Sequence, residues 1–344
     1  MSERPFPLKP MTVGNILDYS FRIYRNNFKS IITFSVLIGG LFNLVLLVLT
    51  KLAAPPGTFV NPWPYIIDGI KTGNWESIFN SILNQQVSPA LIGPDFFIRS
   101  LLMIIIAYGG TFILYVFINP FVHGGIINIA SDYFHGVPSN VSTAFKKIGE
   151  KYGKLVLTAL SLVVCYMGVS IVCFILIIVF VLIIGLSSVG LSAVGGGEVA
   201  ILIGFVVFFI VLALIFAVCF ASISFVYPVA ISEGVYHFNA IGRSFKLAFK
   251  KFWRVLGVNI LAYLLVSILN TAIAGIMILI AVLSPVQILF QEILTLFTSA
   301  IAAPIIYIAT TMLYFDMRIR TEGYDLELLS DEMKENEQWE NTSY

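Results

Sequence analysis

The sequence predicts an all-α integral membrane protein, with six transmembrane helices paired as three hairpins and amphipathic helices lying at the cytoplasmic interface. Three observations predict it. Apolar residues make up 58% of the 344 and charged residues 11%, too few charges to coat so apolar a core in water. Asp, Glu, Lys and Arg are all absent from 30–50, 100–131, 155–197, 199–232, 255–291 and 293–315, and each stretch reaches the about 20 residues that a helix needs to cross a bilayer. The basic residues, finally, gather in short runs ahead of alternate stretches.

The spans fall at about 30–50, 99–119, 155–186, 199–227, 255–283 and 288–315. The third stretch ends in the glycine-rich turn "SSVGLSAVGGGE", and Pro285 in "LSPVQ" marks the reversal between the last two spans. Residues 1–320 thus form one six-span domain, with 51–98 as its long external loop. That loop opens on the proline-rich "KLAAPPGTFVNPWPY". Ile66, Ile70, Trp75, Ile78, Phe79 and Ile82 then suggest short amphipathic helices against the outer leaflet, with Trp63 and Trp75 at the interface. The tail, 321–344, is acidic and expected to be partly disordered past Leu329. No secretory leader is expected, because the first thirty residues are polar where its apolar core would begin.

An even number of spans puts the N-terminus, 132–154, 233–254 and the tail on one side. Seventeen of the twenty Lys and Arg lie there, against Lys51, Lys71 and Arg99 on the other. Basic residues are in excess on the cytoplasmic side, so both termini are expected inside.

Three basic runs share a register: "SFRIYRNNFKSIIT" (20–33), "AFKKIGEKYGKLVL" (144–157) and "SFKLAFKKFWRVLG" (244–257). Apolar residues recur at offsets 0, +3 and +7, as Phe21, Tyr24, Phe28, then Phe145, Ile148, Tyr152, then Phe245, Ala248, Phe252. Those offsets share one helical face. Arg22, Arg25, Lys29, Lys146, Lys147, Lys151, Lys154, Lys246, Lys250, Lys251 and Arg254 lie between or beside them as candidate contacts to anionic headgroups, each contributing roughly 1 kcal/mol near the surface. Membrane lipids are therefore the expected partners, with room for a protein partner in the membrane. The bland reading is that the runs are topology signals alone. Nucleic acid is not expected, since no stacking platform or DNA-reading motif accompanies the charge. An interfacial helix should bend away from its span near Lys29, Lys154 and Arg254.

Each even span is followed by a proline and then an acid: Pro120 and Asp132, Pro228 and Glu233, Pro304 and Asp316. The separation is twelve, five and twelve residues, so the second copy departs from the pattern. The expected unit is an amphipathic lead-in helix, two spans and a proline-bent lead-out.

No HExxH, GxSxG or P-loop motif occurs, and nothing in the sequence asks for a metal or cofactor. Cys165, Cys173 and Cys219 lie in apolar stretches without CxxC spacing and read as packing residues. One polar face stands out. Asn119, His123, Asn128 and Asp132 follow one another at +4, +5 and +4 on the second span. They read as interhelical hydrogen bonding that repairs the Pro120 break, or as a substrate or proton path, or as a catalytic centre.

"ILDYSFRIYRNNF" (16–28) and "LYFDMRIRTEGYDLELL" (313–329) resemble the opening and closing signatures of the glycerophosphoryl diester phosphodiesterase membrane-domain family, and the similarity covers the chain to about residue 329. The resemblance implies a multi-pass protein of the bacterial cytoplasmic membrane. In some members this region precedes a catalytic phosphodiesterase barrel, but the sequence ends fifteen residues after the last signature, with no His-Arg-Gly active-site segment. The resemblance therefore supplies no catalytic residues. The leading expectation is a non-enzymatic scaffold or accessory subunit linked to lipid or envelope metabolism. A small permease using the Asn119–Asp132 face is the alternative, ahead of an intramembrane enzyme.

Overall fold

The computed structural model describes residues 6, 9–55, 71–74, 76, 94–191, 197–281, 287–330 and 333–334. Among them there is no strand. The first hairpin comprises α1 (Val13–Asn26), α2 (Phe28–Ile32), a π-helical stretch (Thr33–Gly40) and α3 (Leu41–Ala53), then α4 (Pro94–Ile113), a π-helical turn (Leu114–Ile118) and α5 (Asn119–Phe134). The second is α6 (Val141–Leu191) with α7 (Gly197–Ile223) and the short α8 (Val226–Ser232). The third is α9 (His237–Phe249), α10 (Phe252–Ala281) and α11 (Gln287–Glu322). Among the described residues, six helical spans are long and apolar enough to cross a membrane: Phe28–Ala53, Pro94–Phe134, Val141–Ile184, Leu202–Ser232, Phe252–Ile276 and Glu292–Glu322.

Packing divides each hairpin into two zones. Fully buried residues concentrate at the ends carrying the basic runs: Ile16, Ile23 and Ile31, Ile126 and Ile129, Ala144 and Ile148, Phe225 and Val229, Leu247 and Val255, Met312 and Phe315. The outer halves are bare. In the third and fourth spans the most apolar windows are 6% and 0% buried inside the protein, an apolar surface suited to the hydrocarbon of a bilayer. The chain is an all-α multi-pass membrane protein with a packed base and three hairpins rising from it into lipid. The 51-residue α6 makes the division plain. At 1.5 Å per residue it is about 75 Å long, more than twice the roughly 30 Å of a hydrocarbon core, and its first turns belong to the base.

The base is a closed ring in which each lead-in helix docks on the lead-out helix of the preceding hairpin. The start of α6 packs on α5, α9 packs on α7 and α8, and α1 packs on α11 and closes the circle. The small residue ahead of each lead-in phenylalanine is the docking point, since Ser20, Ala144 and Ser244 are all fully buried, as are Ile31, Leu155 and Val255 eleven residues later. The aromatic face predicted for these helices therefore stands to one side of the docking face. Phe21, Phe28 and Phe245 are 41–47% exposed, while Phe145 stacks on Phe34 at 4.5 Å and Tyr152 packs edge-on against Phe121 at 5.7 Å.

Two of the three lead-ins bend where expected. Asn27 breaks the first, with φ −115° and its side chain bonded to the Ile23 carbonyl at 3.1 Å. A turn at Lys250 and Lys251 breaks the third. The second departs from expectation. It runs straight into its span with no bend at Lys154, because Ala144, Ile148, Leu155, Ala159 and Leu162 keep one unbroken buried stripe and no capping residue interrupts it.

The three prolines have three outcomes. A π turn precedes Pro120, α7 ends at Ile223 and Pro228 falls in the first turn of α8, and Pro304 lies inside α11 without ending it, so the helix is interrupted at the first two prolines and continues through the third. Proline withdraws the N–H that would bond the carbonyl four residues back. For Pro304 that carbonyl is Ala300, and the Ser35 hydroxyl of the first hairpin donates to it instead. Tyr24 donates to Ile301 next to it at 2.9 Å. Tyr152 likewise donates to Phe117 at 3.1 Å, and the Ser244 hydroxyl accepts from the Phe225 N–H at 3.1 Å. Every lead-in thus hydrogen-bonds a backbone group of the lead-out side on which it docks, and at Pro304 the carbonyl that the proline frees is itself satisfied by Ser35.

Of the long loop only 51–55, 71–74, 76 and 94–98 are described, so its proposed amphipathic helices and Trp63 and Trp75 lie outside the described residues. Residues 324–330 of the tail are helical.

Candidate functional site

Two sets of polar residues sit where hairpins meet. One is a charged seam around the base. Lys147 pairs with Asp132 across the first joint, both contacts at 2.8 Å. Arg243 grips Glu233 across the second at 2.8 and 3.1 Å, and reaches Glu322 of the third hairpin at 2.7 and 2.6 Å. Those bonds, to Glu322 first and Glu233 second, hold the Arg243 proton more firmly than an ordinary guanidinium does. Tyr314 donates to Glu233 at 2.7 Å, and Lys250 meets Glu322 at 3.3 Å.

The third joint is centred on Asp316, whose side chain is 0% exposed. It accepts from the Met11 N–H at 2.7 Å, from Arg254 at 2.9 Å and from Arg320 at 2.9 Å. Both arginines also donate to the Met11 carbonyl, at 2.7 and 2.5 Å. The strand of chain leading into α1 is clamped from both sides, which closes the ring.

The second set lines a cavity of about 180 Å³ at the heart of the spans. His123 of α5, Tyr227 of α8 and Tyr307 of α11 converge on it, the His123 ring lying 4.0 Å from Tyr307 and 5.5 Å from Tyr227. His123 and Tyr307 each follow their proline by three residues, so they are equivalent positions in the first and third hairpins. Asn259 of α10 forms the floor, donating to Ser224 at 3.1 Å and accepting from Thr310 at 3.1 Å. Tyr166 and Tyr263 stand at the rim, 54% and 47% exposed.

The predicted polar face of the second span is thereby divided. His123 enters the cavity. Asp132 is engaged by Lys147, and Asn119 is half-buried without a hydrogen bond among the described residues. Asn128 is buried, and its Oδ1 has no partner, because α5 presses its neighbours close: Gly124 lies against Ile148 and Leu155, and Gly125 against Phe34. The four residues form neither one path nor one bonded ladder. Asn128→Leu should therefore change stability by no more than about 0.5 kcal/mol, since no hydrogen bond is lost, and urea or thermal unfolding in detergent would check it. Asp132→Asn should be similarly mild, because its partner Lys147 keeps 43% of its side chain exposed and a pair so exposed contributes at most about 1 kcal/mol.

The candidate headgroup contacts also divide. Lys147, Lys250 and Arg254 meet acids, Lys151 donates to the Ile231 carbonyl at 3.2 Å, and Lys154 lies 5.3 Å from the centre of the Tyr236 ring. Arg22, Arg25, Lys29, Lys146, Lys246 and Lys251 are exposed, with no ion pair among the described residues.

Two features of the site had sequence signals that the prolines hid. Gly136, Gly234 and Gly323 all have φ between 68° and 74° and each ends a lead-out, a left-handed position that glycine adopts freely. The "EG" pairs at 233–234 and 322–323 align the second and third copies better than the prolines do. They also single out Glu322, which the acid pattern missed.

Among the described residues no three of His, Cys, Asp and Glu come together to hold a metal ion, and the three cysteines are free and half-buried. Comparison with family models, with curated proteins and with solved structures returned no match.

Proposed function

We propose that this chain is a non-enzymatic multi-pass protein of the bacterial cytoplasmic membrane, with both termini inside, acting as a scaffold or accessory subunit in lipid or envelope metabolism. The observation that carries the reading is the division of the basic residues. Pairing with acids accounts for those that face the joints, and leaves a set of six exposed cations around the rim of the base, where anionic headgroups lie at a cytoplasmic surface. Such a ring is rigid where the hairpins join and adhesive where it meets lipid. The permease alternative loses its main support, because Asp132 belongs to the seam and only His123 of its proposed face reaches the cavity. The tie to lipid metabolism rests on the family resemblance of the two terminal signatures.

Lipid retention by the purified full chain, followed by native mass spectrometry, tests the reading. Phosphatidylglycerol should be kept in preference to phosphatidylcholine. Arg22→Gln, Arg25→Gln and Lys29→Gln together should weaken that preference on the order of a hundredfold, at roughly 1 kcal/mol for each cation removed. Equal retention of the two lipids by the unaltered protein would defeat the proposal.

A further inference from the structure

We propose that the cavity bounded by His123, Tyr227 and Tyr307 is a binding site for the glyceryl headgroup of an uncharged acylglycerol that enters sideways from the bilayer. This goes beyond the scaffold reading, which makes no use of the cavity.

The argument begins with unspent hydrogen-bonding capacity. Among the described residues, no protein group hydrogen-bonds the His123 ring nitrogens or the hydroxyls of Tyr227, Tyr307, Tyr166 and Tyr263. All five lie in stretches without a single charged residue. In hydrocarbon an unsatisfied polar group costs several kcal/mol. Five converging on one space is therefore an arrangement that a hydrogen-bonding guest would stabilise. The same sequence could have placed phenylalanine at each tyrosine with no loss to any bond within the protein.

The lining chooses the chemistry of the guest. No Lys, Arg, Asp or Glu borders the cavity among the described residues, so a phosphate or carboxylate would leave water without a countercharge, at a cost of several kcal/mol. Phenols and an imidazole both donate and accept, while the Ser224 and Thr310 hydroxyls, which give their protons to the Phe220 carbonyl and the Asn259 amide oxygen, can still accept; this is the pattern that vicinal hydroxyls match. Size narrows the choice further. About 180 Å³ is well under the roughly 300–1,000 Å³ of a cavity that encloses a whole drug-sized ligand, but suffices for a glyceryl group whose acyl chain stays outside. The opening decides the route. Tyr166 and Tyr263 are exposed at its rim on α6 and α10, at the depth where those helices are bare to lipid, and Phe220 and Ile306 give the first carbons of the chain an apolar wall.

The test uses the full chain in phosphatidylcholine nanodiscs, with a diazirine-bearing monoacylglycerol as the probe and peptide mapping after photolysis. Crosslinks are expected on the α6 and α10 peptides that carry Tyr166 and Tyr263, and unlabelled monooleoylglycerol should displace them. Tyr227→Phe and Tyr307→Phe should each weaken binding about fivefold, and the double variant roughly 25-fold, the yield of one and then two neutral hydrogen bonds. Because those hydroxyls hold no protein partner, the variants should melt as the unaltered protein does. If they do not, Tyr263→Phe at the rim and the displacement measurement on the unaltered chain decide. Free glycerol displacing the probe at equal concentration would assign the site to a soluble polyol and overturn the lipid-borne form. Equal displacement by phosphatidylglycerol, or undiminished crosslinking of the double variant, would overturn the proposal outright.

Discussion

Asp316→Ala is expected to lower stability by about 3 kcal/mol, more than any other single change in the seam. Removing one member of a buried ion pair costs about 3–5 kcal/mol, because the partner charge is stranded. Asp316 has two such partners, Arg254 and Arg320, and also holds the Met11 N–H. The low end of the range applies because both arginines keep about a fifth of their side chains exposed, 21% and 23%, and can turn toward water or headgroups. Asp316→Asn preserves shape and should fall between. The effect should be local at first, freeing the segment before α1. Protease sensitivity of the N-terminal residues should rise before the helices melt, and both can be followed by circular dichroism and limited proteolysis in detergent.

Gly125→Ala is the second large effect, at about 1–3 kcal/mol for an overpacked core. A Cβ there would lie 2.4 Å from the Phe34 ring. Phe34 is fully buried, stacked on Phe145 at 4.5 Å and against Phe121 at 5.8 Å, so the ring has nowhere to go. Distance alone would rank Gly110 as worse, at 2.1 Å from the Leu46 Cδ1. That atom is the tip of a flexible, half-buried side chain in the outer half of a hairpin, where lipid yields. Gly110→Ala should therefore cost less than Gly125→Ala. Gly109→Ala, with nothing within 4 Å, should be close to neutral. Melting of the three variants side by side separates a packing constraint from a general preference for glycine.

How far the sequence could be read depended on the range of the interaction. Span positions follow from runs of uncharged residues, a local property: the expected 155–186 falls within the helix Val141–Leu191, and the expected 255–283 follows the helix Phe252–Ala281 up to residue 281, its last two positions lying outside the described residues. The repeat was also legible, and its register survives in the burial of Ser20, Ala144 and Ser244. Its meaning was not. A basic run looks the same whether its cations meet lipid, as Arg22 and Lys246 are free to, or an acid far along the chain, as Arg254 meets Asp316. The clamp on Met11 uses backbone atoms, which carry no sequence signature. The cavity is composed of one to three residues from each of several helices, and of the candidate polar face only His123 reaches it; a histidine in an apolar stretch is conspicuous where a tyrosine is not. Asn128 misled for the complementary reason: an amide in a span promises a hydrogen bond, but the glycines beside it fill its surroundings with apolar side chains.

The central claim is that the packed ring of lead-in and lead-out helices lies on the cytoplasmic side, with the three hairpins rising from it through the bilayer. Labelling of single cysteines by a membrane-impermeant maleimide, in a background without Cys165, Cys173 and Cys219, tests it most directly. Lys71 and Gly149 are both exposed, one on the loop between the first two spans and one on the ring. Lys71→Cys should react in intact cells, and Gly149→Cys only after the cells are permeabilised. Reaction of Gly149→Cys in intact cells, with Lys71→Cys protected, would contradict the account.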